Sequence, residues 1–338
     1  MNNMIQRDYS FDYLKGILIF LVVLGHCPAF LLTHQGAEFD RWSDPIFVFI
    51  YSFHMPLFML TTGFFFSKKK NSTLRELLPK QIKRLILPQL SWCLVCLVII
   101  AIQFNRFGSL IVGSSTTETI KLIYHFLTSY WYLWCTLFCG VIVVLANKCR
   151  FPLLVLSVFC VLMLIFEKYL PDWFFKHQQV INQLPFFTLG VCLHDVENLD
   201  YKIRKLFPFS VLGYIACWCV YMNYYDSFGN ISSVFKMIWA LFGVMLFYTT
   251  IKEMFNKRFF DNAITKLGGY TLGIYIIHSV LNRYLVQGNL GIYVHTKSLI
   301  IDYLISFIYS ILLTWVCVWI INLIRKNKIL RTYLLGEK

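Results

Sequence analysis

The stretch FDYLKGILIFLVVLGHCPAFLL, residues 11–32, decides the fold. Its length matches the roughly 20 apolar residues that a helix needs to cross bilayer hydrocarbon. Only Asp12, Lys15 and His26 interrupt it. Similar runs recur near residues 45–66, 85–105, 129–147, 151–168, 181–196, 207–225, 231–251, 267–288 and 299–324. The chain has 338 residues, of which 58% are hydrophobic and 14% charged. A soluble domain carries about a quarter charged residues, and runs this long do not fit inside a soluble core. The expectation is an all-α, polytopic integral membrane protein with about ten transmembrane helices. Residues 1–338 read as one membrane-embedded domain with no separate soluble unit, because no long polar stretch breaks the series. The first run is too long for the h-region of a signal peptide, and no small-x-small site follows it, so it reads as an anchor.

The formal net charge of +14 does not point to nucleic acid. The basic residues concentrate in alternate loops, among them SKKKNSTLRELLPKQIKR at 67–84, Lys202 to Lys205, Lys257 to Lys266 and Arg325 to Arg331. That is the pattern of cytoplasmic loops, so both termini are expected in the cytoplasm and the protein in a plasma membrane, with lipid as a partner. Segment 67–84 reads as a basic loop along the headgroups. Residues 106–128 read as an outside segment with a re-entrant or interfacial helix. The 11 cysteines lie mostly in apolar segments, including Cys93 and Cys96, which argues for packing over a metal site. No metal is expected.

Titratable groups at membrane depth are costly and mark function. Lys15 and His26 stand eleven residues apart. At 3.6 residues per turn that is within about 20° of three whole turns, with a rise of roughly 16 Å. Both therefore project from one helix face, Lys15 at the cytoplasmic mouth and His26 beyond the middle. Asp12 is three residues before Lys15 and on the same face, where it can pair with the lysine. Snorkelling to the headgroups is the plain alternative for Lys15. His54 and His278 also fall in mid-span, so three histidines at comparable depth suggest a shared polar cavity in which protons move near neutral pH. Lys80, Lys83 and Arg84 stand before the third span, where they would hold a cytoplasmic polyanion or anionic lipid. Trp131, Tyr132 and Trp134 suit an interfacial belt or a platform for sugar rings.

Taken together, several segments resemble the membrane acyltransferase-3 family, which includes bacterial O-acetyltransferases of cell-surface glycans. DYLKGILIFLVVLGH resembles its first helix, with a basic residue, ten residues and then histidine. FHMPLFMLTTGFFF, RLILP, YWYLWCTLF, LPFFTLGVCL and LGGYTLGIYIIH resemble later blocks in the same order. The chain departs from the family's Arg-x-x-Arg before the third helix, since Gln81 takes the first place and Arg84 the second.

The resemblance implies an O-acyltransferase of the bacterial inner membrane. It implies acetyl-CoA, or another acyl-CoA, as co-substrate with no tightly bound cofactor, and a hydroxyl of a cell-surface or secreted glycan or glycolipid as acceptor. Lys15 and His26 are then the functional pair, with His26 as general base or acyl carrier. Lys15, Arg84, Lys83 and Lys80 would hold the CoA phosphates. The pantetheine arm is comparable in length to the Lys15–His26 rise. His54, His278 and Asp12 support the centre, and Trp131 and Trp134 face the acceptor. Two other readings are a glycolipid or polysaccharide-precursor transporter or flippase, which would use the same buried polar groups, and a succinyltransferase of the same fold.

Overall fold

The computed structural model describes residues 8–31, 44–103, 124, 130–166, 177–224, 233–258, 260–282 and 299–337. Regular structure among them is entirely helical. Five long helices dominate: α1 (Tyr9–Leu31), α2 (Pro45–Phe66), α4 (Leu87–Gln103), α10 (Ser233–Asn256) and α13 (Leu299–Arg325). Between them come α3 (Leu74–Gln81), α5 (Trp131–Ala146), α6 (Pro152–Phe166), α7 (His177–Leu193), α8 (Leu199–Lys205), α9 (Phe207–Tyr224), α11 (Asp261–Leu267) and α12 (Thr271–Val280). A last helix, α14 (Lys328–Leu335), follows α13.

A helix occupies part or all of each apolar segment that the sequence marks out. Five stretches are long and apolar enough to cross a bilayer: Tyr9–Cys27, Pro45–Lys69, Leu74–Ile99, Val234–Asn256 and Ile300–Arg325. The pair α8 and α9 is long and apolar enough only when taken together, and it bends by 55° at its break, as a broken span or a re-entrant segment does. The protein is therefore an all-α, polytopic membrane protein. Its outward faces agree: Leu94, Leu154, Phe209, Leu212, Ile300 and Trp315 are all more than half exposed, an arrangement that favours lipid over water.

Segment 67–84 differs from the loop expected of it. After a 3-10 turn at Ser67–Lys69, Thr73 caps α3 by accepting a bond from the Glu76 amide at 3.3 Å. A π-helical turn at Ile82–Ile86 then joins α3 to α4. Pro88 supplies a physical reason for the turn, because it has no N–H to give the Arg84 carbonyl and the ladder must be re-phased around it. Residues 106–128, expected to form an interfacial or re-entrant segment, lie outside the described residues except for Tyr124.

Helix α1 is the axle of the bundle and touches α2, α10, α11, α12 and α13. Two glycine contacts set how closely it and its neighbours approach. A Cβ on Gly16 would lie 2.0 Å from the Ile264 carbonyl oxygen, and one on Gly268 would lie 2.0 Å from that of Asp12. Backbone meets backbone there, as small residues permit inside a membrane. Helices α2 and α7 meet in the same manner, with Gly63 against Phe187 and Gly190 against Leu60.

The N-terminal ends of α1, α4 and α12 share one end of the bundle with the C-terminal ends of α2 and α13, because their residues line adjoining cavities. Ion pairs stitch this basic end together. Lys70 reaches Asp195 at 2.5 Å, and this bond, with a second from His194, holds the Asp195 carboxyl below its ordinary range. Lys252 lies 3.6 Å from Asp8 and 3.4 Å from Asp200.

Candidate active site

A cavity of about 390 Å³ enters the bundle from the basic end, between α1, α2, α5, α12 and the π-helical turn. Its mouth carries Lys15, Lys69 and Arg84 from three separate elements. The Lys15 ammonium is 2.7 Å from the Asp12 carboxylate and 5.3 Å from the centre of the Phe65 ring. Lys69 feels the like charges of Arg84 and Lys80, so the mouth attracts anions. Gln81, buried, also lines the cavity. Where the acyltransferase-3 pattern has arginine, this chain therefore has a neutral amide, and Lys69 brings another cation from α2's end.

The walls are apolar, with Ile19 and Val22 from α1 and Phe58, Phe65 and Phe66 from α2. The inner end is closed by Tyr132 and Tyr275, whose ring centres are 5.6 Å apart. Thr62 gives its hydroxyl proton to the Phe58 carbonyl at 2.9 Å and accepts from the Tyr132 hydroxyl at 2.6 Å. The Tyr275 hydroxyl lies 3.4 Å from the Tyr132 amide. The passage thus runs from a charged rim through an apolar sleeve to a small hydroxyl cluster.

One helical turn further in, two histidines meet. His26 follows Val22 by four residues on α1, and His278 follows Tyr275 by three on α12. Helical periodicity carries both past the cavity's inner end on the faces that line it. His26 Nδ1 is 2.9 Å from His278 Nε2, and the rings stack at 5.1 Å with 21° between planes. His278 Nδ1 is 2.7 Å from the Ile274 carbonyl oxygen, which can only accept. The His278 proton therefore sits on Nδ1, and its Nε2 is the acceptor. His26 must then donate from Nδ1, which leaves a lone pair on His26 Nε2. The network assigns one tautomer to each ring.

His54 is buried on α2 and bonds the Ile50 carbonyl through Nδ1 at 2.7 Å. Tyr51 stands between it and the pair, with its ring 4.7 Å from His54 and 6.3 Å from His26. The three mid-span histidines thus cluster, with two of them bonded. Asp12 and Lys15 meet as their spacing suggested. Arg84 lines the mouth, whereas Lys80 and Lys83 are exposed and outside the lining. Trp131 and Trp134 are half-buried against the core. The two residues between them, Tyr132 and Leu133, are the ones that line the cavity. Lys69 and Tyr275 escape a reading based on sequence, and Tyr132 is marked by it only as one of an aromatic group with Trp131 and Trp134. The position of Tyr275 three residues before His278 is the one available signal for it. Among the described residues no group of three His, Cys, Asp or Glu side chains is placed to hold a metal.

The helical membrane protein thus has a cationic entrance, an apolar sleeve and, beyond its inner end, a bonded pair of imidazoles. The chain belongs to the acyltransferase-3 family: the family model, described as an acyltransferase domain, matches residues 8–319. It is similar to the nodulation protein NolL of Mesorhizobium japonicum, 36% identical over 132 residues, which cover 38% of this chain and 33% of the relative. The NolL of Sinorhizobium fredii is 34% identical over 133 residues, covering 39% and 34%. The chain thus spans about a third of the length of these curated relatives. No solved structure matches it.

Proposed function

We propose that the protein transfers an acyl group, acetyl from acetyl-CoA, to a hydroxyl of a cell-surface or secreted glycan or glycolipid, with His26 as general base. The observation that carries this reading is the bond from His26 Nδ1 to His278 Nε2, one turn beyond a cavity with a cationic mouth. The acceptor class rests on the family.

Acyl-CoA is a polyanion with a long, mostly uncharged arm ending in a thioester. Lys15, Lys69 and Arg84 hold its phosphates, and the apolar sleeve takes the arm. The rise from Lys15 to His26 is roughly 16 Å, so an arm held at the rim carries the thioester to the tyrosine-lined inner end, and reaction requires Tyr132 and Tyr275 to part before it meets His26, which does not line the cavity. His26 Nε2 takes the proton of the acceptor hydroxyl, whose oxygen attacks the thioester carbonyl. The C–O bond forms, the C–S bond breaks, and the proton passes to the departing thiolate to give the free thiol. His278 holds His26 in the tautomer that makes this possible. The Tyr275 hydroxyl, at the cavity's inner end, donates to the developing oxyanion, while Tyr132 gives its proton to Thr62. The basic end faces the cytoplasm of a bacterial inner membrane, ten spans alternate across it, and residues 1–338 act as one domain.

The test uses purified protein with acetyl-CoA labelled in the acetyl group and a glycan acceptor. Label moves to the acceptor with the wild type, and His26→Ala stops it while the protein still inserts and accumulates. Transfer by His26→Ala at the wild-type rate removes the assignment. Running succinyl-CoA in parallel identifies the acyl group.

A further inference from the structure

A second cavity, about 230 Å³, opens beside the first at the basic end and shares Lys15, Arg84, Thr271 and Leu272 with it. Its far side is built by Arg325, at the end of α13, and by Glu337, just after α14. Both residues lie beyond the stretch that the family model matches. Glu337 binds Arg325 as a fork: Nη2 donates to one carboxylate oxygen at 2.6 Å and Nε to the other at 3.0 Å. Nη2 also donates to the Gly269 carbonyl at 3.0 Å, and the guanidinium lies 4.3 Å from the centre of the Tyr270 ring. Helix α14 is held in place from two sides. Trp92 Nε1 donates to the Leu334 carbonyl at 2.9 Å. Gly336, at φ +65°, lies so close to the Arg84 carbonyl that a Cβ would stand 2.4 Å from its oxygen. A carboxylate is thereby fixed at the rim of a vestibule whose other charged residues are three cations and Asp12.

We propose that Arg325 is a ligand for a phosphate of the acyl-CoA nucleotide, and that Glu337 fills its place until the donor arrives. The proposal rests on the acyl-CoA reading given above. A guanidinium fork accepts carboxylate and phosphate with the same geometry, so the two compete for one site. A donor with several phosphates wins by engaging Lys15 and Arg84 as well. A lone inorganic anion engages fewer cations and competes poorly with a carboxylate tethered to the same chain. No heavy atom among the described residues lies within 4 Å of a Cβ built on Gly269, which leaves room for the exchange beside Arg325. The Glu337 carboxylate thus acts as a filter on what enters the cavity.

The test compares acetyl-CoA with acetyl-pantetheine, which carries the same thioester without the nucleotide, on the purified full chain. In Glu337→Gln the KM for acetyl-CoA falls about tenfold, the worth of one charge-assisted contact. Its kcat, and the KM for acetyl-pantetheine, stay as in the wild type. Arg325→Gln raises the KM for acetyl-CoA alone. Adenosine 3′,5′-bisphosphate binds Glu337→Gln more tightly than wild type, by calorimetry. Trp92→Phe loosens α14 without altering charge and leaves the ratio of the two KM values unchanged. The proposal is overturned if Glu337→Gln shifts both donors alike, shifts neither, or is mimicked by Trp92→Phe. Failure of the wild type to use either donor removes the acyl-CoA reading itself, whereas equal behaviour of all variants with both donors removes only the Arg325 assignment.

Discussion

The mouth of the cavity and the histidine pair beyond its inner end are built on opposite principles. At the mouth, Lys15, Lys69 and Arg84 come from three elements, and Lys15 is further braced by Asp12 and Phe65. Charge attraction acts over distance and tolerates small displacements, so on the acyl-CoA reading the work is spread over three cations. At the far end, one proton position is fixed by one chain of bonds, from His26 to His278 to the Ile274 carbonyl. Proton transfer needs an atom within hydrogen-bond reach and in the correct tautomer. Redundancy serves capture, and singularity serves chemistry.

Substitutions at the two ends should therefore differ in size and in kind. The largest effect belongs to His26→Ala, which lowers kcat about a thousandfold, within the range for loss of a general base. A fall of less than tenfold would place the base elsewhere. Next comes His278→Phe, which keeps a ring but removes the acceptor that fixes His26. It lowers kcat about a hundredfold with little change in KM, the pattern of an interaction needed in the transition state. His278→Gln can still accept at a similar place and recovers part of the loss. If Phe and Gln behave alike, the bond between the rings has no catalytic meaning.

Arg84→Ala acts at the mouth, where it raises the KM for the acyl donor about tenfold and leaves kcat within about twofold. Adding Lys69→Ala deepens the KM effect, and salt weakens binding in the wild type more than in the double variant. The smallest effects belong to Lys80→Ala and Lys83→Ala. Both side chains are exposed and outside the lining, so each shifts KM by less than about twofold, as expected for surface charges. A strong kinetic effect at Lys83 would mean that the donor lies across the outside of α3 and not within the cavity.

The sequence made these two ends legible to different degrees. The Lys15–His26 face could be read because both residues sit on one helix, and 3.6 residues per turn converts their spacing into geometry. The same rule brought Asp12 to Lys15. The bond from His26 to His278 joins residues 252 positions apart, and no local period carries that information. Composition and depth could mark both histidines, but only packing could join them. Near residue 84, proximity in sequence misled. Lys80, Lys83 and Arg84 look like one cluster, yet α3 and the π-helical turn send them in different directions, and Arg84 alone reaches the cavity. The missing partner was Lys69, delivered by the turn after α2. Interfacial habit drew attention to Trp131, Tyr132 and Trp134 alike, and only packing separates Tyr132, which bonds Thr62 at the polar inner end, from the two tryptophans.

The close approach at Gly16 and Gly268 has a consequence for which donors can react. With the Ile264 and Asp12 carbonyls pressed against those two positions, α1 cannot slide along its axis without a backbone collision. The interval between Lys15 and His26 is set by α1 itself, and the glycine contacts hold that interval at one height relative to the neighbouring helices. On the acyl-CoA reading, a donor anchored by its phosphates delivers its carbonyl to the same level whatever acyl chain it bears, and each added methylene must find space past that level among Tyr51, Tyr132 and Tyr275. Chain-length preference is then a property of the ceiling, and bulk added or removed at those three rings, not at the charged entrance, is what would retune it.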